Sequence, residues 1–202
     1  MKKYLVPLVC LFLLVGCSSQ NNNSGDPAGG NGGSDIEKVK TISFYNGGFT
    51  NSTLDREQSQ KNFIDWMNNG EDVIKSIDYS GYCQLNYVGD KNDKNRFTTL
   101  YLGNQNGGGQ LVFHFNYQVK KVKLNIQAYC KYIEYTSKYN IDSNSKFYLD
   151  SDEYDLSTEE GYNSETEKKD IVKQYNPEVE QISIASAEGR VFVHSMEITY
   201  IA

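Results

Sequence analysis

Histidine is almost missing from this chain: His114 and His194 are the only two in 202 residues. A nucleophile activated by an imidazole base would have to use one of them. Neither stands in a Gly-x-Ser-x-Gly elbow or beside a Cys-His signature. Both fall inside alternating patterns, which makes each a sheet-face residue. Metal-binding patterns are missing as well, with no His-Glu-x-x-His and no Cys-x-x-Cys pair. Glycoside hydrolysis needs one carboxylic acid kept protonated in an apolar setting, whereas the acids from Asp150 to Glu167 read as solvated. No catalytic constellation emerges, and the chain is expected not to be an enzyme. Basic charge is also short, with 20 Lys+Arg against 26 Asp+Glu and a net charge of −6. Nucleic-acid binding depends on Lys and Arg neutralising phosphates, so that partner is not expected.

What is present begins at the N-terminus. Lys2-Lys3, an apolar stretch from Tyr4 to Val15, and Gly16-Cys17 supply in order the parts of a secretory signal. Leu14-Val15-Gly16-Cys17 reads as a lipobox, with Cys17 the acylated first residue of the mature protein. A membrane span needs about 20 apolar residues, and this stretch stops at Cys17. Acyl chains contribute about 0.8 kcal/mol per buried methylene, so two or three make a lasting anchor. Residues 1–16 are expected to be a lipoprotein signal peptide. Residues 17–34 then form the lipidated Cys and a polar, Gly-rich tether, and 35–202 a single domain. Loss of Lys2 and Lys3 moves the balance to −8. The expected place of work is extracytoplasmic, lipid-anchored to the bacterial cell membrane.

Of the four cysteines, Cys10 lies in the signal and Cys17 carries the lipid, leaving Cys83 and Cys130. An extracellular address permits a disulfide between them, stabilising by about 4 kcal/mol on the chain-entropy model. Two separate buried thiols fit equally, because each cysteine is in phase with apolar neighbours.

Hydrophobic content is only 38%, but 16 Tyr and 9 Phe supply bulk for a core. Lys38–Tyr45 alternates as a first strand. One helix follows around Leu54–Asn68, capped by Ser52 or Thr53, with Phe63, Trp66 and Met67 on one face and Asn69-Gly70 beyond its end. Period-two patterning then marks strands at Val73–Ile77, Tyr82–Val88, Thr98–Leu102, Gln110–Tyr117, Val122–Tyr135, Lys146–Leu149, Glu180–Ala185 and Val191–Ile201. Asp150 to Asp170 reads as an acidic surface loop. Many antiparallel strands with one apolar face predict a mostly β, two-sheet sandwich with one short N-terminal helix.

The run Leu100–Gly108, the strand Lys121–Tyr129, Ser145–Leu149 and the closing Ile182–Ile198 together resemble a jelly-roll module of secreted and surface proteins of Firmicutes and related bacteria. Such modules look like galactose-binding or carbohydrate-binding sandwiches. The likeness spans roughly 73–202; Asn104 and Asn106 stand where serines are usual, and the acidic insertion after Asp150 is a further departure. The resemblance implies a jelly roll, a surface location and a binding role, with no catalytic residues to carry over.

The outward phase of the longest strand places Asn125, Gln127, Tyr129 and Tyr135 on one face, and amides beside aromatic rings suit a sugar. Asp150–Asp155 starts with the spacing of a calcium loop, but sets Tyr154 at a ligand position and Asp155 where the tight-turn Gly belongs. A structural calcium held by backbone carbonyls stays open on sequence; no other cofactor is expected. The expectation is a non-catalytic, lipid-anchored surface module that binds an extracellular glycan or polymer. The alternative is a protein-interaction or envelope-assembly lipoprotein.

Overall fold

The structure, a computed structural model, describes residues 36–49, 57–88, 97–133, 138–141, 144–156 and 168–202. It describes the side chains of all of these except 57, 86–88, 130–133 and 138–141. All belong to the unit Asp35–Ala202. The signal peptide, Cys17, the tether, the helix caps Ser52 and Thr53, and Tyr135 lie outside the described residues.

The fold is mostly β, with 69% of the described residues in strands and one short helix. In chain order the elements are β1 (Glu37–Ser43), α1 (Glu57–Asn68), β2 (Ile74–Gly81), β3 (Cys83–Val88), β4 (Phe97–Leu102) and β5 (Gly109–Ala128). They continue with β6 (Cys130–Ile133), β7 (Lys138–Ile141), β8 (Lys146–Leu149), β9 (Asp152–Asp155), β10 (Lys169–Glu188) and β11 (Val191–Ile201). Nine strands hydrogen-bond into one antiparallel sheet, ordered β3-β4-β11-β5-β10-β8-β9, with β1 added to β11 and β2 to β5; β6 and β7 pair separately. The sheet curls into a half-barrel. The long strands β5 and β10 are neighbours in this sheet, and neither a two-sheet sandwich nor a jelly roll is established by this pairing.

One corner of the sheet is set locally. β2 and β3 are separated only by Tyr82, and together they pair with β4 and β5 across the excursion 103–108. Within it Asn104 and Gly107 exchange backbone hydrogen bonds at 3.1 and 2.9 Å, forming a miniature hairpin. Gly81 sits at the corner with φ 65°, and a Cβ there would lie 1.5 Å from Gly108 O. Only glycine permits that approach and that backbone conformation.

The core fills the concave side. Leu111, Phe113 and Phe115 of β5 and Leu124, Ile126 and Ala128 further along are buried as the alternation predicts. Val191, Val193, Met196 and Ile198 of β11 join them. Each fully buried large side chain contributes about 1.5–3 kcal/mol by leaving water. Helix α1 adds Phe63 and Met67, both buried, while Trp66 packs half-buried against Phe44 and Phe63 at ring distances of 6.1 and 5.9 Å. Asn69 (φ 46°) and Gly70 (φ 85°) end the helix in left-handed backbone. The helix has no basic residue in its last turn, and Lys40 of β1 supplies that cation by donating to Asn68 O. The Asn68 amide exchanges two 2.8 Å hydrogen bonds with the Ile74 backbone, tying helix to strand.

Candidate functional site

The face expected from sequence is mostly not open to a ligand. Gln127 is 8% and Tyr129 7% exposed, so the outward placement of both is corrected. Tyr129 lies against Phe192 and Tyr101, with ring centroids 5.2 and 5.9 Å away, and the Arg190 guanidinium stands 3.4 Å above it. Alternation identified the side of the sheet, but that side carries a second aromatic layer of Phe97, Tyr101, Tyr129 and Phe192. Only Asn125 stays near the surface, donating to Asp170 Oδ1 at 2.8 Å. Asn125, Gln127 and Tyr129 are thus brought onto one side of β5, with Gln127 and Tyr129 closed off.

His194 belongs to this layer. Its Nε2 is 2.9 Å from Gln127 Oε1 and its Nδ1 is 3.2 Å from Thr99 Oγ1. Thr99 has one hydroxyl hydrogen, which goes to Val193 O at 2.9 Å, so Nδ1 must donate to Thr99. Burial, aided by Lys168, lowers the His194 pKa to about 3. The neutral ring then accepts at Nε2, which requires the Gln127 amide turned to present its NH2. The network is internal, with His194 only 3% exposed. His114 is bonded to Asp78 Oδ2 at 2.8 Å, and Ser76, its cross-strand neighbour, makes no hydrogen bond to it.

Cys83 is a free, buried thiol that reaches Gln110 O at 3.2 Å, and burial pushes its pKa up to about 12. The Cys130 side chain lies outside the described ones. In the acidic segment the Lys173 ammonium lies 3.1 Å from Asp150 Oδ2 and 2.9 Å from Asp152 Oδ2. A lysine neutralises these carboxylates where a calcium loop would use its ion, so this donor set does not fit calcium. Among the described residues no group of three His, Cys, Asp or Glu side chains is placed to hold a metal.

An open pocket lies elsewhere, on the convex side, and sequence patterning missed it. In the β5–β11 ladder Thr199 pairs with Lys121 and Tyr200 with Val119, which leaves Lys120 bulged. In the β5–β10 ladder Gln174 pairs with Lys121 and Val179 with Val119, so Tyr175, Asn176, Pro177 and Glu178 loop out opposite the same lysine. Two bulges meeting at one residue open a pocket of about 410 Å³, within the range of about 300–1,000 Å³ usual for small-ligand sites. Glu37, Lys120, Lys121, Gln174, Tyr175, Asn176, Glu178 and Thr199 line it.

Its polar groups are unevenly satisfied. Lys120 pairs with Glu37 at 3.1 Å. Thr199 is 3% exposed and its Oγ1 has no hydrogen-bond partner, the sole buried side-chain oxygen or nitrogen so placed among the described residues. Leaving a buried hydroxyl unpaired costs about 1–3 kcal/mol, which such a group normally avoids. Nothing in the sequence pattern shows that a β10 bulge faces a β5 bulge.

No protein-family model matches the chain, and neither a curated protein nor a solved structure matches it, so no comparison identifies a carbohydrate-binding module.

Proposed function

We propose that this chain is a non-catalytic, lipid-anchored module on the outer side of a bacterial membrane, binding an extracellular glycan or polymer through the convex pocket. The observation that carries the reading is the unpaired, buried Thr199 hydroxyl at a pocket also lined by two amides, Gln174 and Asn176. Hydroxyls and amides that both donate and accept match the alternating donors and acceptors of a polyhydroxylated ring. Tyr175 adds an aromatic wall. The lipobox at Leu14–Cys17 supports the location, and the curled sheet is the feature nearest to the sandwich that the jelly-roll resemblance implies.

A glycan and polysaccharide screen, run with and without calcium, tests the binding role. Saturable binding that weakens in Thr199→Val supports it, and silence across the screen with well-folded protein refutes it. Labelled palmitate entering wild type but not Cys17→Ser tests the anchor. A second reading, a protein-interaction or assembly role, draws on Ile36 and Val39, which are 57% and 58% exposed beside the pocket.

A further inference from the structure

Resting on that reading, we infer that the pocket takes an acidic sugar, with Lys121 receiving the ligand's carboxylate and Thr199 one of its ring hydroxyls. The charge pattern along β5 carries the argument. Lys120 has Glu37 at 3.1 Å and Lys123 has Asp170 at 2.9 Å, whereas Lys121 has no carboxylate partner among the described residues. Lys121 is half-buried and lines the pocket, so a bound ring strips its remaining water. Desolvating an unpaired ammonium opposes binding of a neutral sugar, while a carboxylate satisfies it with a charge-assisted hydrogen bond.

Glu178 does not cancel this preference. It is exposed on the looped segment, where solvent screens its charge, whereas Lys121 is half-buried. The single unneutralised ammonium suits one ring carboxylate. A phosphate monoester would bring more negative charge, and no arginine lines the pocket to receive it. Thr199 stands directly opposite Lys121 in the β5–β11 register, on the same side of the sheet. A pyranose placed over that pair presents its carboxylate to one residue and a neighbouring hydroxyl to the other.

The test is titration calorimetry of the full-length chain in detergent with a galacturonate trimer and with its methyl ester. The variants are Thr199→Val, Lys121→Met and Lys123→Met. Wild type is expected to bind the acid at least tenfold more tightly than the ester. Thr199→Val and Lys121→Met should each weaken acid binding by tenfold or more, and Lys123→Met should leave it unchanged. Thr199→Val removes an unpaired buried hydroxyl at almost constant volume and should raise the thermal midpoint, so its loss of binding is not a loss of fold. Equal binding of acid and ester, still sensitive to Thr199→Val, overturns the acidic-sugar assignment and leaves the glycan reading standing. Acid binding indifferent to both pocket variants overturns the site. Silence toward the trimer while the broad screen scores a neutral glycan overturns the assignment alone; silence in both overturns the glycan reading with it.

Discussion

The Tyr175 hydroxyl donates to Asp150 Oδ2 at 2.9 Å, joining the turn between β8 and β9 to the looped segment of β10 that walls the pocket. Asp150 also receives Lys173 at 3.1 Å on the same oxygen and the Ser183 backbone N–H at 2.9 Å on the other. Burial and then the Asp150 charge drive the Tyr175 phenol far above its ordinary range, so it stays a donor. Lys173 is pulled down by burial, but the hydrogen bonds it donates to Asp152 and Asp150 outweigh that and hold it above the usual lysine value.

Asp150→Asn should therefore destabilise the fold by about 1–3 kcal/mol, since it removes the charge that Lys173 and Tyr175 share. Asp150 has φ 56°, a left-handed conformation that Asn tolerates and Ala does not. Asp150→Ala should cost about 1 kcal/mol more than Asp150→Asn. Urea midpoints of the two variants check both the loss and its order. The same variants should lower ligand affinity at the convex pocket, because Tyr175 loses its anchor.

His194 makes acid stability a test of the aromatic layer. Its folded pKa of about 3 lies below its ordinary 6.5, so the folded state resists protonation and the unfolded state does not. The neutral ring's stabilisation is complete above pH 6.5 and is lost as pH falls from there toward 3. The slope in that window is up to about 1.4 kcal/mol per pH unit. His194→Phe should lower stability at pH 7.5 by removing the ring nitrogens that Thr99 and Gln127 hydrogen-bond. It should also flatten the pH dependence by about one proton, which denaturation at several pH values between 7.5 and 4.5 measures.

How much of this was legible depends on what alternation reports. The closing strand Val191–Ile201 and the strand Lys146–Leu149 have the bounds their patterns predict, although the apolar phase of the closing strand slips once, at the register shift between Val193 and Ser195. Gln110–Tyr117 and Val122–Tyr135 read as two strands, yet β5 runs continuously from Gly109 to Ala128. The buried positions pass from Phe115 and Val119 to Val122 and Leu124, a phase slip made by bulged Lys120. In sequence a bulge and a strand end look alike. Asp150–Asp170, expected as loop, contains β9 at Asp152–Asp155 and the start of β10. Exposed edge strands are rich in charge and lack the apolar face that patterning detects. The pocket was hidden for the same reason as the bulges, since it exists only where two register shifts coincide across strands.

Cys83 supplies a redox and reactivity prediction. Burial pushes its thiol to about 12, against a smaller downward pull from a backbone hydrogen bond at Gln110, so almost no thiolate forms near neutral pH. Iodoacetamide at pH 8 should leave the Cys83 peptide unmodified in the folded protein and alkylate it in urea. Reduction before digestion should not change that peptide's mass, because the thiol is free. The folded value lies above the ordinary 9.0, so stability is intact below that pH and declines as pH rises toward 12. Cys83→Ala should remove this alkaline component.

Tyr129 separates a structural aromatic from a sugar platform. At 7% exposure, between Phe192 and Tyr101 and beneath Arg190, it has little face left for a ligand. Tyr129→Ala opens a cavity in the aromatic layer and removes the ring on which the Arg190 guanidinium rests. Truncating a buried aromatic costs about 3–5 kcal/mol, and the cation–π contact adds about 0.5–2 kcal/mol. Tyr129→Phe keeps the ring and should cost under about 1 kcal/mol. Tyr101 is half-buried, and burial raises its phenol pKa against the pull of Arg190, so Tyr129→Ala should let that titration fall back toward its ordinary value. Thermal denaturation with ultraviolet pH titration measures both effects. A Tyr129→Ala protein that stays as stable as wild type yet loses glycan binding would restore this residue to the ligand face and displace the convex pocket.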